Sequence, residues 1–139
     1  LKPKKCKLYN IGTRYANSIH TQLRVGRSNL SSHLFAIGRS TTQGCMCNCP
    51  TETVEHVLID CFMYEKERQE LFDYIRNTRH ILCDRFETYN RKSLVSVLLY
   101  GEFPHDYDRY PYNKLLFRAV QTFLVKTRRL QYKSVLQLI

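Results

Sequence analysis

Glycine and proline are scarce in this chain, with five Gly and four Pro among 139 residues. So few helix breakers leave long stretches uninterrupted, which favours helices. No apolar run approaches the about 18 residues that a membrane-spanning helix requires, and no secretory signal opens the chain. We therefore expect an intracellular protein, nuclear or cytoplasmic, with no membrane partner. The hydrophobic fraction of 43% is enough for one modest core, and Leu1 in place of Met suggests a piece of a longer polypeptide.

Acidic residues are missing from both ends of the chain. Residues 1–51 carry eight Lys or Arg and residues 109–139 carry seven, both without an acid, whereas residues 52–108 hold all twelve acids. Two basic flanks suit a polyanionic partner, nucleic acid before a membrane surface, although the same charge would also serve solubility alone. The residues predicted to contact phosphates, without base specificity, are Lys4, Lys5, Lys7, Arg14, Arg24, Arg27 and Arg39, with Arg128 and Arg129 secondary.

Helical periodicity accounts for most of the chain and predicts an all-α fold. A basic, extended lead-in over residues 1–12 precedes a single helical domain over residues 13–139. The predicted helices cover 13–25, 29–37, 62–77, 93–101 and 113–130, and the run 93–101 is ambiguous with a strand. In the second helix, Asn29 is a candidate N-cap and Gly38 a candidate stop. Its predicted core face consists of Leu30, Leu34 and Ile37.

The window "GCMCNCPTETVEHVLIDC", residues 44–61, holds four of the six cysteines and one of the five histidines. A structural zinc ion requires four soft or borderline ligands that close a tetrahedron. Two cysteines on a tight turn supply one edge, and a His and a Cys further along supply the other. This spacing predicts one structural Zn²⁺ held by Cys45, Cys47, His56 and Cys61, with Cys49 as the alternative to Cys47.

The last two predicted ligands constrain the local backbone. Residues five apart in one unbroken α-helix point about 140° away from each other, which is unsuitable for sharing an ion. We therefore predict a short helical turn over residues 53–58, a break, and a new helix beyond Cys61. Thr51 is the candidate cap for the first piece and Asp60 for the second. The core motif then spans residues 44–77.

Other interpretations of the cysteines are weaker. Cysteines separated by one residue bridge each other badly, and the chain shows no export signal, which disfavours disulfides. A catalytic thiol requires a poised base and oxyanion donors, and no familiar nucleophile signature occurs. Cys6 and Cys83 lack partners at suitable spacing and are expected to be free thiols.

Three stretches resemble the C-terminal zinc-binding region of a non-LTR retrotransposon reverse transcriptase. They are "IHTQLRVGRSNLSSHLFAIGRS" at 19–40, "CMCNCPTETVEHVLIDCFMYEKER" at 45–68, and "LLYG" at 98–101 with "AVQTFLVKTRRL" at 119–130. The central stretch is the most specific, with its C-x-C turn, "ETVEH", a further Cys and a trailing "YEKER". Two positions depart from the pattern, because Asn48 stands where the family often has Gly and Phe62 where it often has Pro. Asn tolerates the left-handed backbone that Gly would adopt, so the turn is expected to survive.

The resemblance implies a module that follows the polymerase domains of the parent chain and holds template RNA or target DNA. It also implies that the parent is an RNA-directed DNA polymerase. No Y-x-D-D turn occurs in these residues, so we expect this fragment not to be catalytic. The alternative is a zinc-stapled helical adaptor that docks onto the polymerase body or a host factor, with the apolar end "SVLQLI" as part of its interface. Steep salt dependence of polyanion binding would distinguish the two.

Overall fold

The chain folds around five α-helices joined by short 3₁₀ turns, as seen in a computed structural model that describes residues 7–78, 80–82 and 86–130, except the side chains of Lys7 and Phe86. The α-helices are α1 (Arg14–Val25), α2 (Ser31–Ala36), α3 (Glu65–Asn77), α4 (Arg91–Tyr100) and α5 (Tyr110–Thr127). Within the described ranges there is no β-strand, which confirms the predicted all-α class. None of these helices is both long and apolar enough to cross a membrane.

Helix α5 forms the centre of the core and packs against α1, α3 and α4. Its buried stripe consists of Leu116, Phe117, Val120, Phe123 and Leu124. The helix begins three residues earlier than predicted because Pro111 lies in its first turn, where a fixed φ and a missing N–H cost nothing. The run 91–100 is helical, and Asn90 caps it by accepting a hydrogen bond from the Ser93 N–H at 2.8 Å.

Helix α1 has the ends that its sequence predicts. The Thr13 hydroxyl accepts a hydrogen bond from the Ala16 N–H at 3.1 Å, and Gly26 ends the helix with a φ of +73°. The segment before α1 differs from the predicted extended lead-in. Residues Lys7–Asn10 form a 3₁₀ turn, and the side chains of Leu8 and Ile11 are buried in the core.

Helix α2 is shorter than predicted and is capped from a distance. Leu30, rather than Asn29, occupies the N-cap position and makes no side-chain cap. The buried carboxylate of Glu52 accepts the hydrogen bond from the Ser31 N–H at 2.8 Å instead, so a loop residue satisfies the helix start. Gly38 is left-handed as expected of a stop, but the predicted core residue Ile37 lies beyond the helix and is exposed.

A polar network inside the core joins α1 to α4 and α5. The His20 Nε2–H donates to the Leu98 carbonyl at 2.9 Å, while Nδ1 accepts from Gln121 and from Arg24. The Arg24 guanidinium also donates to the Leu99 carbonyl and lies 4.7 Å from the ring centroid of Phe117. Burial, and then the charge of Arg24, lower the pKa of His20 to about 3. The imidazole is therefore neutral and structural at physiological pH.

Candidate metal centre

A π-turn brings His56 and Cys61 to the same side of the chain. Residues His56–Asp60 form a π-helical turn, closed by the Cys61 N–H donating to the His56 carbonyl at 2.7 Å. This i to i+5 bond replaces the i to i+4 bond of an α-helix, which would have pointed the two side chains about 140° apart. The backbone becomes extended at Cys61, and a 3₁₀ turn leads into α3. The predicted break is confirmed.

The caps of this segment differ from those predicted. The first piece begins at Thr53, whose hydroxyl accepts a hydrogen bond from the His56 N–H at 3.1 Å. The predicted cap Thr51 instead accepts, through its carbonyl, a hydrogen bond from the Cys49 thiol. Asp60 does not cap the second piece, because its carboxylate pairs with Arg91 of α4. Thr53 is the better cap since it lies directly before the first helical residue.

A tight turn aligns the first two cysteines. The Asn48 N–H donates to the Cys45 carbonyl at 3.0 Å, and the Cys45 N–H donates to the Cys49 carbonyl at 2.9 Å. Asn48 has a φ of +75°, the left-handed conformation expected from its place in the sequence. A hydrogen bond from the Glu52 N–H to the Gln43 carbonyl, 2.6 Å long, closes the base of the loop.

The side chains of Cys45, Cys47, His56 and Cys61 converge, with one ligand atom from each lying within 4.8 Å of all the others. The sulfurs of Cys45 and Cys61 are 3.8 Å apart, and the Cys47 sulfur lies 3.2 Å from His56 Nε2. The structure brings together the four residues that the sequence singled out. Cys49 is outside this group, because its thiol donates to the Thr51 carbonyl at 3.4 Å. Cys45, Cys47, Cys49 and Cys61 are all free thiols.

These separations suit a tetrahedral metal ion. Zn–S bonds of about 2.3 Å place two sulfurs about 3.8 Å apart in a tetrahedron, which matches the distance between Cys45 and Cys61. A sulfur and a nitrogen would be about 3.6 Å apart, somewhat more than the 3.2 Å between Cys47 and His56. Cys45, His56 and Cys61 are buried and Cys47 is half-buried, so the protein surrounds the site closely.

The thiols at the site differ in acidity. Burial raises the pKa of Cys45 to about 12 and also raises the pKa of Cys61. Burial acts in the same direction on Cys47, but the Cys49 backbone N–H and the neighbouring thiols, as hydrogen-bond donors, bring its pKa below the ordinary value. Without a cation the buried thiols stay protonated, and metal binding must displace those protons.

An ion pair ties the loop that carries the cysteines to the end of α5. Glu52 has an exposed fraction of 1%, and Arg129 donates to both of its carboxylate oxygens and to the Asn29 carbonyl. Burial alone would raise the pKa of Glu52, but the hydrogen bonds from Arg129 and the Ser31 N–H keep it below the ordinary value. No local pattern in the sequence indicates this role of Glu52, because its partners lie 21 and 77 residues away.

The residues predicted to contact phosphates fall into three groups. Arg24 and Arg129 are engaged in the internal networks described above, so their guanidiniums are committed to the fold. Lys4 and Lys5 lie outside the described residues, as does the side chain of Lys7. The exposed members, whose side chains have no hydrogen-bond or ion-pair partner among the described residues, are Arg14, Arg27, Arg39 and Arg128.

The chain matches no protein-family profile, no curated protein and no solved structure. Fold and site therefore define its class: a small all-α domain whose Cys₃His cluster could hold one metal ion.

Proposed function

We propose that this chain is a non-catalytic, zinc-stapled module that binds nucleic acid and comes from the C-terminal part of a retrotransposon reverse transcriptase. The observation that supports it most is the convergence of Cys45, Cys47, His56 and Cys61. Those four residues belong to the stretch that resembles the family most specifically. The parent chain would then be an RNA-directed DNA polymerase, whose domains are further partners of this module.

Zinc is the metal that this ligand set favours. Three thiolates and one imidazole form a soft, tetrahedral donor set that closed structural zinc sites use, with no position left for substrate. A bound ion would join the C-x-C turn to the π-turn, which are consecutive parts of one loop between α2 and α3. Structural zinc contributes on the order of 10 kcal/mol to the folding of small modules. Its role here is to fix that loop.

Exposed arginines support the nucleic-acid part of the proposal. Arg14, Arg27, Arg39 and Arg128 have no side-chain partner among the described residues, so their charge is free to neutralise phosphates. The acidic side chains are concentrated elsewhere, in residues 52–108. Binding through such contacts releases counterions and becomes weaker as salt increases.

The test is the salt dependence of binding to a labelled RNA and to duplex DNA, followed by fluorescence anisotropy. Each lost phosphate contact lowers the slope of log K against log salt by about 0.9 on duplex DNA. We expect Arg27→Gln and Arg39→Gln to lower the slope in this way. Arg76→Gln is the matched control, because Arg76 is already paired with Asp73 and Glu87 in the acidic region. Equal slopes for all four proteins would contradict these assignments.

A second candidate, the protein adaptor, is favoured by exposed apolar side chains next to the metal ligands. Met46 is 86% exposed, Phe62 67% and Met63 45%. Met46 lies between Cys45 and Cys47 in the sequence, and Phe62 and Met63 directly follow Cys61. The predicted interface segment "SVLQLI" lies outside the described residues. An adaptor would bind neither RNA nor DNA with steep salt dependence, so the same titration decides between the two candidates.

A further inference from the structure

The side chain of Arg68 is buried beneath the π-turn. Its exposed fraction is 7%, although it lies in α3 on the far side of the chain break. The Nε–H donates to the Leu58 carbonyl, and Nη2 donates to the carbonyls of Val57 and Cys61, each at 2.9 Å. One guanidinium therefore binds three backbone oxygens of a five-residue stretch.

The carbonyls of Val57 and Leu58 need such a donor because the helical turn ends there. The last carbonyls of any helical segment lack partners further along the chain, and the extended backbone at Cys61 removes the N–H groups that would have followed. Val57 and Leu58 are each 0% exposed, so water does not replace the missing donors. The buried Cys61 carbonyl also accepts a hydrogen bond from the Tyr64 N–H, at 3.2 Å. The planar guanidinium has several N–H groups at fixed angles, which suits three acceptors from one side.

Arg68 binds the backbone that joins the last two ligand residues. His56 directly precedes Val57, and Cys61 is both a ligand residue and one of the three acceptors. The carbonyls that Arg68 holds therefore belong to the same π-turn whose i to i+5 bond sets the relation between His56 and Cys61.

We infer that Arg68 is a positioning residue of the metal centre: its guanidinium holds the π-turn in the conformation that presents His56 and Cys61 to one ion. The inference rests on the metal-binding part of the proposed function. Charge favours the same role. Zn²⁺ with three thiolates and a neutral imidazole carries a net charge of −1, and the buried guanidinium that binds the backbone of Cys61 is a cation.

The first experiment compares Arg68→Gln and Arg68→Lys with wild type in a Zn²⁺ titration against a competing chelator. Groups that orient metal ligands typically change metal affinity by about 10- to 100-fold when they are replaced, and we expect a loss in that range for Arg68→Gln. Arg68→Lys keeps the charge but not the planar set of donors, so we expect a loss there too. Lys66→Gln is the matched control, since it removes one exposed charge from the same helix.

The second measurement separates positioning from general stability. Co²⁺ replaces Zn²⁺, and its visible absorption at saturation reports the geometry of the ligand set. We expect both Arg68 variants to alter the spectrum at full occupancy. Leu116→Ala, which opens a cavity in α5 far along the sequence, should lower stability and leave the saturated spectrum unchanged. Arg68 spectra identical to that of wild type, or affinities within twofold, would overturn the inference.

A third readout needs no variant and covers the case in which the Arg68 variants do not fold. In the wild-type chain, the Arg68 Nε–H should exchange slowly with solvent when Zn²⁺ is bound and faster after chelation. Exchange that is independent of Zn²⁺ would also overturn the inference. If wild type binds no Zn²⁺ in the titration, the metal-binding proposal itself is wrong and this inference falls with it. If wild type binds Zn²⁺ normally and the Arg68 variants bind it equally well, only the inference about Arg68 is wrong.

Discussion

The same substitution at two adjacent arginines at the end of α5 should affect two different properties of the protein. Arg129 is paired with the buried Glu52, whereas Arg128 is exposed and has no side-chain partner among the described residues. Arg129→Gln leaves the Glu52 carboxylate without its counter-charge, while Arg128→Gln removes only a surface charge. The first change should therefore act on folding and the second on binding to nucleic acid.

The magnitude follows from the burial of the pair. Removing one partner of a buried ion pair costs about 3–5 kcal/mol. The Arg129 side chain is 24% exposed and that of Glu52 only 2%, so partial solvation places the cost near the lower end. A loss of about 3 kcal/mol corresponds to a decrease in Tm of roughly 10 °C for a domain of this size. Surface substitutions such as Arg128→Gln usually stay within about 0.5 kcal/mol.

The assay is chemical denaturation at saturating Zn²⁺, with RNA binding measured on the same samples. The double variant Glu52→Gln/Arg129→Gln should recover part of the lost stability, because it removes the unpaired carboxylate while an amide oxygen can still accept from the Ser31 N–H. If Arg129→Gln has wild-type stability and only weakens RNA binding, Arg129 is a phosphate contact and our reasoning about its pairing is wrong.

The remaining predictions concern the core. The pKa of His20 is lowered to about 3 in the folded chain, so as pH falls below about 6.5 the unfolded chain takes up a proton that the folded chain does not. The free energy of unfolding of wild type should therefore fall by about 2 kcal/mol more than that of His20→Gln between pH 7 and pH 5. Equal losses in urea titrations would refute this. Gly12→Ala should lower the free energy of unfolding more than Gly38→Ala in the same titrations. Both glycines have positive φ, but only a Cβ at position 12 would collide with the side chain of Gln121; equal costs would count against this prediction.

Local patterns in the sequence were sufficient for four of the described α-helices and for the candidate metal ligands Cys45, His56 and Cys61. Apolar periodicity located α1, α3, α4 and α5, because each buries one face against a neighbour. The spacing between His56 and Cys61 required a break in the helix, and the π-turn with the extended Cys61 provides it. The choice between Cys47 and Cys49 could not be made from spacing, since it depends on which thiol the turn at Asn48 directs towards His56.

Long-range interactions explain the features that local sequence patterns did not predict. Asn29 is an ordinary N-cap in isolation, but the carboxylate of Glu52 reaches the start of α2 instead. Arg24 and Arg129 look like surface cations in a basic segment, yet acceptors 75 and 77 residues away hold them inside the fold. Arg68 lies in a charged stretch of the sequence. Its side chain is nevertheless buried, because it donates to carbonyls that the π-turn leaves without backbone donors.

The central claim is that Cys45, Cys47, His56 and Cys61 hold one structural zinc ion. The most direct measurement is the zinc content of the purified chain by elemental analysis, for wild type, Cys45→Ser, His56→Ala and Cys49→Ser. We predict one zinc per chain in wild type, retained in Cys49→Ser and lost in the other two variants, because of the three residues changed only Cys49 lies outside the cluster. Wild type without zinc, or loss of zinc in Cys49→Ser alone, would contradict this account.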